Sequence, residues 1–446
     1  MAMLIVAPEL SLSMSMGSNS GQLKQQHHHQ PRSQQMLNGS IKPKRIAIIG
    51  QGIMGLTCAA RLLEEIATGG GASDDDTEIA TMLPPISTID IYSKEKFEDT
   101  TSMSAGGYWW PHKAYPQHRV ETWSKETYKI YKKLAKIPYE TGIHMEQHVR
   151  ICVDQDDSSY VLNLLDDPYE VINNGSVEQE FGISNCCEAY KLRVPVIDIP
   201  IFMPWLKNYI ETLCSESDAA CNFITHEIAS IHDLFRPNYK KEDFDIMTIQ
   251  KYDLIINCCG VYAKQLVNDN EVYPIRGQVV RLSSESLLPQ GGDDSALSST
   301  RLYQKDDSFT LVLPRLYDVV LGGTSQVNDW DRAPREEETK AILERCSTLD
   351  SRISQKSTIV GTAVGLRPGR KEIRLELEYL KMKDDGVNRE DGNDVIEPLQ
   401  EVSYPVIHNY GHGGGGLTVC YGCANEVVQL VQEHFNNVAT FVETKS

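Results

Sequence analysis

Short apolar runs separated by a glycine-rich turn mark the start of the regular hydrophobic pattern. Residues 45–50 (RIAIIG) predict a buried parallel strand, and the apolar positions that follow as far as Leu63 have helical spacing. After the polar stretch 69–78, residues 87–92 (STIDIY) predict a second strand. A strand, a helix and a strand in this order form a βαβ unit.

Further along the chain, β-rich runs bounded by Gly, Pro and Asp replace this pattern. Residues 254–257 (LIIN) predict another buried strand, and three later runs predict an antiparallel sheet, at 279–282, 310–313 and 319–321. A final helix over 425–435 has one broad apolar side. The polar, Gly- and Asp-rich stretches 283–299 and 383–394 predict surface insertions. The expected fold class is α/β, with a Rossmann-type nucleotide-binding domain interleaved with a β-rich antiparallel domain.

Composition narrows the possible partners. The 446 residues are 41% hydrophobic, which suits one large domain or two interlocked ones and excludes a single small module. The formal net charge of -19, without a segregated basic patch, argues against nucleic-acid and anionic membrane partners. No window holds eighteen apolar residues, so we expect a soluble protein without a membrane partner.

Cysteine usage favours a reducing compartment. The eleven cysteines have irregular spacing, and the CxxC pair Cys420 and Cys423 lacks the second pair or histidines that a metal site needs. We therefore predict no metal, mostly buried thiols and an intracellular location.

The two ends of the chain leave the compartment open. Residues 1–43 are rich in Ser, Gln, Met and His and contain one acidic residue, Glu9, which is typical of a disordered tail or of an organellar transit peptide. Residues 439–446 form a short tail that ends in Thr444, Lys445 and Ser446, which is not a peroxisomal SKL ending. A cytoplasmic and an organellar location both remain open.

A glycine motif follows the first strand. Gly50, Gly52 and Gly55 form G-x-G-x-x-G between a strand and a helix, where they permit a tight turn, the approach of a pyrophosphate and close helix–strand packing. Amides at the start of the helix then face the anion. The motif predicts a dinucleotide but does not distinguish NAD from FAD. Lys94 and Glu95 follow the second strand, and Glu95 is a candidate for the ribose hydroxyls.

The stretch 100–112 (TTSMSAGGYWWPH) supplies hydroxyls and small residues that suit a loop packed against a diphosphate and a ring. It resembles the flavin-contacting loop of the D-amino-acid oxidase and D-aspartate oxidase family. Other segments of the chain resemble this family in the same order, namely 257–260 (NCCG), 276–278 (RGQ), 322–330 (GGTSQVNDW), 365–368 (GLRP) and 408–416 (HNYGHGGGG).

The resemblance implies FAD as the cofactor. It also implies an FAD-binding domain built from 44–112, 189–273 and 362–438, and a substrate domain built from 113–188 and 274–361. The cofactor-binding residues expected from the resemblance are Gly50, Gly52, Ile53, Met54, Gly55, Lys94, Glu95, Thr100, Thr101, Ser102, Gly107, Ile228, Cys259, Gly260, Gly413, Gly416, Leu417 and Thr418.

The resemblance also implies an activity: oxidation of a D-amino acid by dioxygen to a 2-oxo acid, ammonia and hydrogen peroxide. Arg367 occupies the family's substrate-carboxylate position, and its planar guanidinium can bind a carboxylate through two parallel hydrogen bonds. The carbonyl of Gly414 is expected to accept a hydrogen bond from the substrate amine. The mechanism needs no catalytic general base if the amine binds unprotonated, and a homodimer is a possible assembly.

Some positions depart from the family pattern and leave the substrate side chain open. Leu311 stands where a tyrosine usually helps the arginine, and Tyr303 is a possible substitute. Ser325 replaces the extra arginine of D-aspartate oxidases, and Trp110 replaces the glutamine of the neutral type. His112 could pair with a side-chain carboxylate. Both neutral and acidic D-amino acids therefore remain possible substrates.

Two other functions remain open from the sequence alone. The first is a protein that binds FAD but has lost or altered turnover and acts as a binding or regulatory partner, which Leu311 favours. The second is an NAD-dependent dehydrogenase, which the glycine motif by itself permits.

Overall fold

The structure, a computed structural model, describes residues 42–68, 83–152, 159–184, 186, 188–235, 252–287, 299–305, 308–383, 387–388, 395–396 and 401–443. Nearly all of the predicted tail 1–43, and most of the predicted insertions 283–299 and 383–394, lie outside the described residues.

The strands alternate with helices in the first half of the chain. In chain order they are β1 (Lys44–Ile49), β2 (Ile86–Ser93), β3 (Ile143–Cys152), β4 (Glu170–Val171), β5 (Glu188–Ile197), β6 (Ala220–Thr225), β7 (Leu254–Asn257), β8 (Tyr273–Ser283), β9 (Ser299–Lys305), β10 (Ser308–Pro314), β11 (Asp318–Gly322), β12 (Gln326–Val327), β13 (Ile359–Gly369), β14 (Arg374–Lys383), β15 (Val387–Asn388), β16 (Val395–Ile396) and β17 (Glu401–Tyr410). The helices are α1 (Ile53–Thr68), α2 (Gln117–Leu134), α3 (Pro138–Thr141), α4 (Asn174–Phe181), α5 (Ile199–Ser215), α6 (His232–Phe235), α7 (Ala263–Leu266), α8 (Glu336–Leu349) and α9 (Gly416–Glu443).

A six-stranded sheet carries the predicted nucleotide-binding fold. Its strand order is β14-β17-β7-β1-β2-β6, and every pair except β14 with β17 is parallel. The apolar run of β1 is buried from Ile46 to Ile49, because helices cover this sheet as they cover other parallel sheets. Helix α1 packs against α5 and α9, and α2 packs against α9. The sheet confirms the Rossmann-type prediction.

A second sheet, mostly antiparallel, forms the other layer. Its strand order is β12-β8-β11-β10-β9-β3-β5-β4, and β13 pairs with β8. The pairs are antiparallel except β3 with β9, so the predicted antiparallel runs are confirmed. Helix α8 packs against one face, where it buries Ile342, Leu343 and Cys346.

The boundaries between the two sheets differ from those expected. Both Glu188–Ile197 and Ile359–Gly369 pair within the nine-stranded sheet. The chain therefore changes sheets near residues 198 and 370, and not at 189 and 362. The last helix is also longer than predicted, since it begins at Gly416 and ends at Glu443. None of the described helices is long and apolar enough to cross a membrane.

Candidate active site

A cavity of about 360 Å³ lies between the two sheets. Residues at or just beyond the carboxyl ends of parallel strands line one side, among them Ile49, Ser93 and Cys258. Val279 and Leu302 of the nine-stranded sheet line the other side. Ligands of open α/β sheets bind in the crevice outside these strand ends, so the fold itself directs a ligand here.

The glycine turn has no room for side chains. Gly50 has a φ of +121°, and a Cβ on it would lie 2.4 Å from the carbonyl oxygen of Cys258. A Cβ on Gly55 would lie 1.9 Å from the carbonyl oxygen of Gly50, so this glycine allows α1 to pack on the turn and does not line the cavity. Gly52 does line the cavity, as expected for a backbone that a pyrophosphate approaches.

The loop after β2 supports the start of α1. The amide of Ile53 donates a hydrogen bond of 2.9 Å to Oγ of Ser102, so a side chain satisfies one of the first amides of the helix. The hydroxyls of Thr100 and Thr101 donate to the carbonyl oxygens of Phe97 and Leu366, at 2.9 and 3.3 Å. The predicted hydroxyls thus line the cavity, and those of Thr101 and Ser102 also fix the loop to β13 and to the start of α1.

At another part of the cavity, contacts converge on Glu95. The hydroxyl of Tyr262 donates a hydrogen bond of 2.5 Å to Oε1 of Glu95. The guanidinium of Arg332 pairs with the same oxygen. Nearby, Lys94 lies 5.4 Å from the ring centre of Tyr262 and pairs with Glu227. These contacts fix the side chain of Glu95, the residue that is expected to bind the ribose hydroxyls.

The glycine run before α9 packs tightly on the 100–112 loop and on β13. The amide of Gly413 donates to the carbonyl oxygen of Pro368 at 2.8 Å, and that of Gly414 donates to His112 at 2.9 Å. Gly413 has a φ of +53°, and a Cβ there would lie 2.1 Å from the carbonyl oxygen of Lys113. The run is glycine-rich because backbone meets backbone here.

Arg367 projects from β13 across β8 into the cavity. A Cβ on Gly277 would lie 2.3 Å from its Nη1, so the guanidinium occupies the space that a side chain would take. Nη1 donates to the carbonyl oxygen of Thr324 at 3.0 Å, and the ring centre of Phe309 lies 5.9 Å from Cζ. Burial lowers the pKa of Arg367 to about 10. Across the described ranges, no carboxylate forms an ion pair with this guanidinium, so it is poised to bind an anion.

A row of side chains crosses the nine-stranded sheet on its cavity face. Backbone pairing places Arg150 beside Leu302, Leu302 beside Leu311, and Leu311 beside Gly322, which pairs with Val279. The four side chains of the row line the cavity, and three of them are aliphatic. The wall is therefore apolar over most of its width, with a cation at one end.

Tyr303 is not where the missing tyrosine would be. Its neighbour Leu302 faces the cavity, so the alternation of side chains along β9 turns Tyr303 to the opposite face. There it packs with the cluster that includes Val312 and Leu321, beneath α8. The predicted substitution of Tyr303 for the tyrosine missing at Leu311 is therefore wrong.

The structure brings most of the predicted site residues together. Those that line the cavity are Gly50, Gly52, Ile53, Met54, Lys94, Glu95, Thr100, Thr101, Ser102, Gly107, His112, Ile228, Cys259, Gly260, Arg367, Gly413, Gly414, Gly416 and Leu417. Gly55, Tyr303 and Thr418 do not line it.

Comparison with known proteins identifies the family. The family model DAO, described as FAD dependent oxidoreductase, matches residues 45–430 of the chain. The chain belongs to this family. The resemblance to D-amino-acid oxidases and D-aspartate oxidases is thereby confirmed.

Individual relatives cover nearly the same span. A D-amino-acid oxidase from Rubrobacter xylanophilus is 28% identical over 86% of this chain and 95% of its own. A D-aspartate oxidase from Homo sapiens is 26% identical over 87% of this chain and 95% of its own. The crystal structure of glycine oxidase from Geobacillus kaustophilus has the same fold, with a TM-score of 0.57 at 15% identity, and covers 87% of this chain and 95% of that one.

FAD is the cofactor of the DAO family, and the cavity fits it. The glycine turn leaves backbone exposed at Gly52. Buried polar atoms of two cavity residues in the segment before α9 lack a described hydrogen-bond partner, namely Oδ1 of Asn409 and Nε2 of His412. Because an unpaired buried polar atom is costly, these atoms indicate that a polar ligand completes the site.

Several cavity residues escaped the sequence analysis. Asn409 and His412 lie within the recognised glycine segment, so their positions gave a clue. Arg150 and Phe309 come from β3 and β10, and only strand pairing brings them to the cavity. Burial lowers the pKa of His412 to about 3, so this imidazole is neutral near pH 7.

Proposed function

We propose that this flavoprotein oxidises a D-amino acid with dioxygen as the electron acceptor. The products are a 2-oxo acid, ammonia and hydrogen peroxide. The observation that carries the proposal is the guanidinium of Arg367, which lines the cavity, is half-buried and forms no ion pair with the described carboxylates. A substrate carboxylate would supply the negatively charged partner for this guanidinium, which can bind it through two parallel hydrogen bonds.

The residues around Arg367 orient the rest of the substrate. Gly414 lines the same cavity, where its amide donates to the carbonyl of His112, and we propose that its carbonyl oxygen accepts a hydrogen bond from the substrate amine. Two fixed contacts, one to the substrate carboxylate and one to the substrate amine, define which hydrogen of the α-carbon faces the cofactor. When bound, FAD supplies the acceptor for the hydride that leaves this carbon.

The side-chain pocket favours an apolar substrate. Phe309, Leu311 and Val279 line the cavity beside Arg367, and none of them can accept or donate a strong hydrogen bond. A charged side chain packed against these three residues would lose its hydration without compensation. We therefore propose D-amino acids with neutral, apolar side chains as the preferred substrates.

The first test is a peroxide assay with a panel of D-amino acids, glycine and D-aspartate, using the L-enantiomers as controls. We expect peroxide from apolar D-amino acids and none from the L-enantiomers. A catalytically inactive FAD-binding protein would give no peroxide with any member of the panel. A dehydrogenase would purify without the visible absorbance of flavin and reduce added NAD. Either result would overturn the proposal.

A further inference from the structure

The loop that follows β12 reaches the carboxyl end of β2. In dinucleotide-binding folds, the adenosine half of the ligand is recognised at this strand end. In this loop, the guanidinium of Arg332 pairs with Oε1 of Glu95 and donates a hydrogen bond of 2.5 Å to the carbonyl oxygen of Asp99. Arg332 follows β12 of the nine-stranded sheet, which we call the substrate side of the molecule, whereas Glu95 and Asp99 follow β2 of the nucleotide-binding sheet. One side chain therefore joins the two sides.

Hydrogen bonds from Arg276 fix the backbone on either side of Arg332. Arg276, which is fully buried, donates to the carbonyl oxygens of Asp331 at 2.8 Å and Ala333 at 2.7 Å. It also pairs with Glu338 at 2.6 Å. Because a buried and fully bonded arginine holds both neighbours, Arg332 meets Glu95 from a rigid base and not from a freely moving loop.

The contacts on Glu95 leave one oxygen for a ligand. Tyr262 and Arg332 both use Oε1, and none of the described residues donates to Oε2 within hydrogen-bonding distance. An acidic residue at this strand end accepts hydrogen bonds from ribose hydroxyls in dinucleotide-binding folds. A neighbouring guanidinium also offsets the repulsion between this carboxylate and the diphosphate of the cofactor.

We propose that Arg332 is a positioning residue for FAD, which orients the Glu95 carboxylate toward the ribose and ties the substrate side of the chain to the adenosine half of the cofactor. The inference rests on the proposed role of Glu95 and is independent of the substrate.

The test is a titration of apoprotein with FAD, followed by the quenching of flavin fluorescence. We expect Arg332→Ala to raise the Kd for FAD at least tenfold, which corresponds to about 1.4 kcal/mol. Lys340→Ala is the matched control, because it removes one positive charge from the same side of the protein and its partner is the exposed Glu336. This control should leave the Kd unchanged.

A double-mutant cycle separates positioning from a general effect on the loop. If Arg332 acts through Glu95, then Arg332→Ala should have little effect in a Glu95→Ala background. Glu95→Gln serves as a second background, since it keeps the shape of the side chain. An unchanged Kd in Arg332→Ala, or an equal loss in all backgrounds, would overturn the inference. Because no substrate is present, these outcomes do not depend on the proposed oxidase activity.

Discussion

Replacing Arg367 by alanine tests the proposed substrate clamp. The change removes a guanidinium that has one backbone partner, the carbonyl of Thr324, and no ion pair with a described carboxylate. Hydrogen bonds to charged groups each contribute about 1.5–3 kcal/mol, so two bonds to a substrate carboxylate contribute about 3–6 kcal/mol. We expect kcat/KM to fall between about 10²- and 10⁴-fold, with most of the effect in KM and with FAD still bound.

Although Arg367→Ala should lose activity, we expect it to lose no stability. The lowered pKa of Arg367, about 10, indicates a cost on the order of 3 kcal/mol for holding this charge in the protein. Without substrate, Arg367→Ala should therefore unfold at the same temperature as the parent protein or higher. Arg315 is the contrasting control, because it is buried and bonds both oxygens of Asp318 at 2.7 Å. Its loss should cost about 3–5 kcal/mol.

The assays are steady-state peroxide production and thermal unfolding followed by circular dichroism. Arg367→Lys should recover only part of the affinity, because an ammonium keeps the charge but loses the planar fork. Unchanged kinetics in Arg367→Ala would refute the clamp. A large loss of stability without substrate would show that the arginine has a structural role.

Three further predictions concern the cofactor turn, the substrate wall and pH. Gly52→Val should yield folded apoprotein, seen as lost flavin absorbance, whereas Gly50→Ala should destabilise the fold itself because its Cβ would lie 2.4 Å from a backbone oxygen. Leu311→Tyr should lower KM several-fold by adding the hydroxyl that the family usually has there, and Leu311→Phe should not; equal effects would exclude the hydroxyl as the cause. The pKa of His412 is lowered in the folded state to about 3, so the unfolded chain binds a proton first as pH falls below about 6.5, and stability should drop by about 2 kcal/mol by pH 5. His412→Gln should reduce the slope with which the melting temperature falls toward acid pH, and an unchanged slope would contradict this assignment.

Backbone-determined features were the ones that sequence reasoning predicted well. The turn at Gly50 and the glycine run through Gly413 are constrained by positive φ angles and by close backbone contacts, which few residues other than glycine tolerate. The apolar run of β1 likewise reflects burial on both faces of a parallel sheet. Such constraints are local, so the residues that satisfy them mark their own positions.

Sequence reasoning did not find the cavity side chains that depend on strand pairing, because no local feature marks their positions. The alternation along β9 decides whether Leu302 or Tyr303 faces the cavity, and a shift of one residue would exchange them. No local feature of the sequence fixes that register, which depends on pairing with β3 and β10. The same pairing brings Arg150 to the cavity, although β3 lies far from Arg367 in the chain.

A second cation in the cavity does not by itself imply an acidic substrate. Arg150 lies on β3, and its guanidinium stacks 4.2 Å from the ring centre of Trp110, whereas that of Arg367 lies over Gly277 on β8. Four interstrand steps separate β3 from β8, which corresponds to on the order of 19 Å between backbones. The carboxylates of D-aspartate are only two carbons apart, whereas the strands that carry the two guanidiniums are far apart, so the fold favours separate roles for Arg150 and Arg367. If the apolar wall governs selection, Arg150→Met should therefore leave the ratio of kcat/KM for apolar D-amino acids over D-aspartate unchanged. A selective loss of D-aspartate turnover would instead place the side-chain carboxylate at Arg150.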